Sequence, residues 1–203
     1  MASDFHTHNP DPPVRSLIST PVYLPGKLIS LEFHPWNLPQ VFDPAQLPEK
    51  SCLSAFNALG EIGLDKLKGA DFNVQQLYFH ALLAMAADCH KPVVIHAVRS
   101  FDELFAAVKP FKQVKILFHG FRSSPQMLME LWKRRFTVSF HPQIVNSPAL
   151  AQMLVNNAGA FGFESDSDPE ADIPPLLDRM SVIYGLKNLE NITDQYFADF
   201  LEI

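Results

Sequence analysis

Short, almost wholly apolar runs recur along this chain, and most of them stop at a side chain able to bind metal. Leu28-Ile29-Ser30-Leu31-Glu32-Phe33 ends at His34-Pro35, Val93-Val94-Ile95 at His96, and Ile116-Leu117-Phe118 at His119. Phe161-Gly162-Phe163 leads to Glu164, with Asp166 two residues on, and Ala58-Leu59-Gly60-Glu61-Ile62-Gly63 carries its carboxylate inside the run. Strands that are apolar on successive residues have both faces buried, the condition of a parallel sheet covered by helices.

Amphipathic segments separate these runs. From Val74 the apolar residues fall at Leu77, Tyr78, Ala81, Leu82 and Met85, a helical stripe. Ser100 and Glu103 form a Ser-x-x-Glu capping box opening a helix that Pro110 stops. Ser124-Pro125 is an N-cap followed by proline at the first helical position, Ser147-Pro148 starts another helix, and two helical patterns near 176–184 and 192–201 follow. Five prolines between Pro10 and Pro25 mark that stretch as an irregular connection.

Alternating strands and helices with short connections predict an α/β domain with a parallel sheet. No glycine-rich turn follows the first strand, which argues against a nucleotide-binding open sheet. Functional groups at the ends of several strands argue for a (β/α)₈ barrel. With Phe136-Thr137-Val138-Ser139-Phe140 as a further strand, counting His6-Thr7-His8 gives seven, and a length of 203 residues is near the lower limit for such a barrel. The expectation is a shortened or distorted TIM barrel of about seven parallel strands, in one domain spanning 1–203.

A net charge of −6 with scattered Lys and Arg disfavours an extended nucleic-acid surface, because phosphate neutralisation needs clustered cations. Two cysteines outside any Cys-x-x-Cys pair fit a reducing, cytoplasmic setting. No run approaches ~18 uncharged apolar residues, so no membrane span is expected. Nothing in the pattern specifies an oligomeric state.

Six residues are candidate metal ligands: His6, His8, Glu61, His96, His119 and Asp166. His6 and His8 are two apart, so on an extended segment both imidazoles point the same way. A carboxylate inside an apolar strand, such as Glu61, demands a partner. His96 and His119 end successive strands, where one alone could be an ordinary core histidine but two point to a shared site. Asp166 belongs to an acidic cluster that could equally be a solvated loop.

Taken together, His6-Thr7-His8, Gly60-Glu61-Ile62-Gly63-Leu64-Asp65, Pro92-Val93-Val94-Ile95-His96, His119-Gly120-Phe121 and Glu164-Ser165-Asp166 resemble the TatD family of metal-dependent hydrolases, in the amidohydrolase superfamily of TIM barrels. The resemblance implies that His6, His8, Glu61 and Asp166 surround one divalent ion and Glu61, His96 and His119 a second, with Glu61 as the bridge. It implies phosphodiester cleavage at DNA ends. Asp166 would take the proton of a metal-activated water, and Glu61 would share the catalytic centre. Zn²⁺, Mn²⁺ and Mg²⁺ all suit the ligands, the nitrogen donors favouring the first two.

The chain departs from the family in several places. Residues 8–34 are short and proline-rich where the family has a helix, which truncates the first β-α unit. Lys66 stands where the family has an aromatic residue, an arginine is displaced to Arg99, and Gly120 replaces a cysteine. His34-Pro35 matches a family step, with Glu32 in place of a glycine. His34, Lys66, Arg99 and Arg122 are the candidate substrate contacts, each cation having the alternative of an exposed surface charge. Trp36 is a candidate to stack on a base, Trp132 reads as packing, His80 and His90 as surface residues, and His141 as structural or substrate-facing.

Three activities therefore stand side by side: a DNase or phosphodiesterase, a hydrolase of a small amide, ester or phosphoester, and a non-catalytic barrel stabilised by metal.

Overall fold

The computed structural model describes residues 2–156 and 159–203. Eight parallel strands follow one another in chain order in a closed barrel: β1 (Ser3–Thr7), β2 (Arg15–Thr20), β3 (Leu28–Leu31), β4 (Ala58–Asp65), β5 (Val93–Val98), β6 (Ile116–Phe118), β7 (Thr137–Phe140) and β8 (Phe161–Phe163). The α-helices are α1 (Phe72–Asp88), α2 (Phe101–Val108), α3 (Pro125–Lys133), α4 (Pro148–Val155), α5 (Ile173–Tyr184) and α6 (Leu189–Leu201). Among the described residues no helix is long and apolar enough to cross a membrane.

The TIM-barrel expectation holds with one more strand than the seven counted from sequence. The addition is β2, which lies inside the stretch read as irregular. Its six residues fall between Pro13 and Pro21, and Leu17 and Ile18 are buried. A proline stops a ladder only where it stands. No α-helix separates β1, β2 and β3, so the start of the barrel is shortened as expected; two short 3₁₀ turns, Pro44–Gln46 and Lys50–Ala55, precede β4.

The chain divides into two compact units, Ser19–Ile116 and Met1–Ile18 with Leu117–Ile203. In the first, α1 covers β4. Its buried residues are Gln75, Tyr78, Phe79, Leu82, Leu83, Met85 and Ala86, so the apolar stripe is turned from the expected one and Leu77 stands 51% exposed. Gln75 causes the turn. Its amide donates to the carbonyls of Asp65, Lys68 and Ala70 and accepts from Asp65 N–H, which holds the loop after β4 and draws this helix face inward. Each of the large apolar side chains buried here contributes roughly 1.5–3 kcal/mol.

The capping box expected at Ser100 is absent. The Ser100 hydroxyl instead donates to Leu64 O at 2.7 Å, and Glu103 pairs with Lys66, so residues suited to a helix start fasten the end of β4. In the second unit the expected cap at Ser124 is present, accepting from Met127 N–H. There β1, β7 and β8 pair in register, and Phe5 meets Phe197 of α6 edge-on at 5.2 Å.

Candidate metal-binding sites

In the unit Ser19–Ile116, the Gly-Glu-Ile-Gly string is shaped by β5. Gly60 (φ +141) and Gly63 (φ +157) lie so close to β5 that a Cβ on either would collide with the carbonyl oxygen of Val94 or of His96. The glycines permit this approach, and the register that pairs Gly63 with His96 sets Glu61 beside the histidine. Glu61 is 2% exposed.

Ligand-type atoms of His34, Glu61 and His96 lie within 4.8 Å of one another. His34 Nε2 is 2.9 Å and His96 Nδ1 3.5 Å from Glu61 Oε2. His34 Nδ1 accepts the Trp36 N–H at 3.2 Å, so the proton of the neutral imidazole sits on Nε2, facing Glu61. His34 thus orients the Glu61 carboxylate, and Glu61 and His96 are left as the better ligands.

Behind His96 stands Asp65, with Oδ2 at 3.5 Å from His96 Nε2 and 2.6 Å from Trp36 Nε1. Burial raises the Asp65 pKa, but the hydrogen bonds from the Trp36 indole, the Leu67 N–H and His96 outweigh it and hold the carboxyl below its usual range. A carboxylate behind a histidine that faces a ligand oxygen is the usual support of a metal site.

In the other unit, alternation along β1 sends His6 and His8 to one side. Asp166 N–H donates to His6 O and His8 N–H to Asp166 O, each at 3.0 Å, so the backbone of Asp166 bridges both histidines. With φ +51, Asp166 places Oδ1 at 3.9 Å from His6 Nε2 and 3.7 Å from His8 Nε2. The three ligand atoms lie within 4.8 Å of one another.

His119 packs against His6, ring centroids 4.4 Å apart, with Nδ1 at 3.5 Å from Glu164 Oε1. Burial pushes the fully buried Glu164 carboxyl upward; the His119 imidazole, helped by His6 and the Ser139 hydroxyl, more than offsets this and leaves it below the usual range. Asp4, one strand repeat before His6, accepts from Ser165 Oγ (2.6 Å), Ser165 N–H (3.1 Å) and His6 N–H (3.2 Å). Burial raises its pKa to about 6 against these bonds. Its carboxylate fixes the turn that presents Asp166.

The sequence reading gave no supporting role to Asp4 and Asp65 and named Glu164 only within its acidic cluster. The signal was the one used for Glu61, an acid within or beside an apolar run. Of the substrate candidates, His34 joins the Glu61 cluster, Lys66 is engaged by Glu103, and Arg99 and Arg122 are exposed. His141 holds Asp168 at 3.0 Å and caps the turn after β7, a structural role. Phe121 is buried against Phe140 and Trp132 donates to Ala160 O, both packing as expected of Trp132; His80 and His90 are exposed.

A cavity of about 460 Å³ is lined by His8, Asn9, Pro12, Pro13, Asp166 and Ile173 among others. No lysine or arginine is among its described lining residues.

Imidazole nitrogens and carboxylate oxygens gathered at this spacing, with Glu61 and His6 buried, fit a divalent cation.

The chain is similar to several known proteins. Over 83 residues, 40% of the chain, it is 32% identical to an uncharacterized metal-dependent hydrolase of Methanocaldococcus jannaschii, and the match spans 32% of that relative's length. Among solved structures it is similar to YJJV, a TatD homolog from Escherichia coli K12, with a TM-score of 0.76 at 16% identity over 100% of this chain and 98% of that one. A TatD family hydrolase from Entamoeba histolytica matches with a TM-score of 0.57 at 15% identity, covering 74% of this chain and 64% of that one. Dihydroorotase from Campylobacter jejuni matches with 0.57 at 14%, covering 87% and 65%. At these identities the structures establish the fold. The sequence profile described as TatD related DNase matches residues 24–159, two thirds of the chain, and the chain belongs to the TatD related DNase family.

Proposed function

We propose that this protein is a divalent-metal-dependent hydrolase that cleaves phosphodiesters at nucleic-acid ends. The observation that carries the reading is the buried Glu61 carboxylate set between the imidazoles of His34 and His96. A carboxylate at this depth is costly unless paired, and the arrangement gives it ligand geometry rather than an arginine.

Glu61 and His96 in one unit, and His6, His8 and Asp166 in the other, are the proposed ligands, with His119 beside His6. A bound divalent ion would lower the pKa of a coordinated water toward neutrality and polarise the scissile bond. Asp166 would accept the proton of that water; its carboxylate is 36% exposed, so solvent reaches it. His34 and Asp65 keep Glu61 and His96 in orientation, and Asp4 does the same for the Asp166 turn. The nitrogen donors favour Zn²⁺ or Mn²⁺ over Mg²⁺, and a cytoplasmic setting suits the two free cysteines.

A second reading, hydrolysis of a small ester, amide or phosphoester, is favoured by the cavity beside His8 and Asp166, whose described lining holds acids and prolines and no lysine or arginine to bind the further phosphates of a nucleic acid. Incubation with end-labelled single-stranded DNA and with chromogenic esters separates the two. Metal-dependent release of nucleotides supports the first reading, and cleavage of esters alone overturns it.

A further inference from the structure

Lys66, one of the candidate substrate contacts, is engaged by Glu103. Lys68, two residues on, is different. Its side chain is exposed, its Nζ lies 3.5 Å from the centroid of the Trp36 ring, and among the described residues it has no carboxylate partner. Trp36 is 43% exposed, and its ring centroid lies 4.7 Å from that of His34 and 5.6 Å from that of His96.

Both residues are built into place by one buried carboxylate. Asp65 Oδ2 accepts the Trp36 indole N–H at 2.6 Å, and Oδ1 accepts the backbone N–H of Leu67 at 2.7 Å and of Lys68 at 3.2 Å. The loop they share closes through Ala70 N–H to Pro35 O. Held by the hydrogen bond to Asp65, the exposed indole stands beside His34 and His96, where a planar ring in solvent can reach it.

We propose that Trp36 and Lys68 form the platform for a terminal nucleotide, the indole stacking on the base and the ammonium taking a phosphate oxygen. The proposal rests on the phosphodiesterase reading. An exposed cation over a ring is a weak, mobile contact. A base can displace the ammonium from the indole face, because stacking on an aromatic side chain is the stronger contact, and the freed ammonium then meets the phosphate carried by the same ligand. The pair thus selects for a planar ring joined to an anion. Neither group suits a neutral aliphatic substrate.

Tryptophan fluorescence tests this without turnover. The chain has two tryptophans, and Trp132 is buried against Ala160 O, so quenching by an added base reports on Trp36. Thymidine 5′-monophosphate is expected to quench saturably and to bind about 10-fold more tightly than thymidine, while inorganic phosphate does not quench. Lys68→Met should abolish that preference and leave thymidine binding unchanged; Trp36→Phe should abolish the quench while circular dichroism stays native. No saturable quench by the monophosphate, or an equal preference in Lys68→Met, overturns the proposal. Metal-dependent release of nucleotides without the quench sinks the platform alone, whereas the quench without any DNA cleavage sinks the phosphodiesterase reading and leaves the platform standing.

Discussion

The two ligand clusters are built by different means. Around Glu61 the parts are long strands: β4 and β5 lie against each other through Gly60 and Gly63, with a shift of register between Leu59 and Ile62, and the supports His34 and Asp65 act on side chains. Around Asp166 the parts are backbone: a bridge to both His6 and His8, a left-handed residue, and a turn fixed by Asp4 and Ser165. The first cluster lies inside the stretch matched by the family profile, residues 24–159, whereas His6, His8 and Asp166 of the second lie outside it. A carboxylate on a strand is positioned by many contacts spread over two strands; one on a turn depends on a few hydrogen bonds. The cluster on the turn should therefore be the easier to disturb.

The largest expected effect tests the strand-built cluster. Glu61→Gln should lower metal affinity by more than the ~100-fold that loss of an outer partner reaches, with hydrolysis falling below detection. Elemental analysis and an endonuclease-free DNA assay on the same preparation would check this, and retention of full metal content would remove Glu61 from the ligands. Asp166→Asn is next, because it keeps shape and removes a base: turnover should fall ~10²–10⁴-fold. Unchanged turnover would strike Asp166 from the mechanism, and no hydrolysis by the wild type on any substrate would favour a metal-stabilised, non-catalytic barrel.

The supports sharpen the comparison. Asp65→Asn and Asp4→Asn should each lower metal affinity ~10–100-fold. Only Asp4→Asn should also expose the 165–168 turn to faster amide exchange, because Asp4 holds its backbone. Equal exchange in both variants would mean that the turn does not depend on Asp4. Chelation followed by readdition of Zn²⁺ or Mn²⁺ should abolish and restore hydrolysis, and less than one equivalent of metal after loading would contradict both clusters.

The smallest effect concerns Lys66. Its partner Glu103 is held below the usual carboxyl range chiefly by the hydrogen bond from Lys66, so the pair adds stability at neutral pH that is lost as pH falls through the Glu103 titration. Lys66→Ala should cost less than about 1 kcal/mol in urea unfolding at pH 7, with no difference in acid, and should leave KM unchanged. A several-fold rise in KM would restore Lys66 to the substrate site.

Much of this was legible in the chain. Largely apolar runs marked β3 to β8, because a strand buried on both faces leaves little room for polar residues. His6 and His8 were legible through alternation, and Glu61 through the cost of burying a charge. The strand β2 was hidden because prolines flank it so closely that its six residues look like part of a loop. The stripe of α1 was turned because Gln75 has a loop to hold, and a glutamine carries no apolar signal. Ser100 and Glu103 had the spacing of a cap, but both side chains had stronger partners on β4 and the loop after it.

The sequence by itself determined the barrel class and singled out the candidate donors for a divalent cation, since period, burial cost and motif are all local properties of the chain. Only the tertiary structure decided which cations remain available and which carboxylates stand behind the histidines. Those depend on pairings such as Lys66 with Glu103, Asp65 with Trp36 and Asp4 with Ser165, whose partners are brought together across 37, 29 and 161 positions by the fold alone.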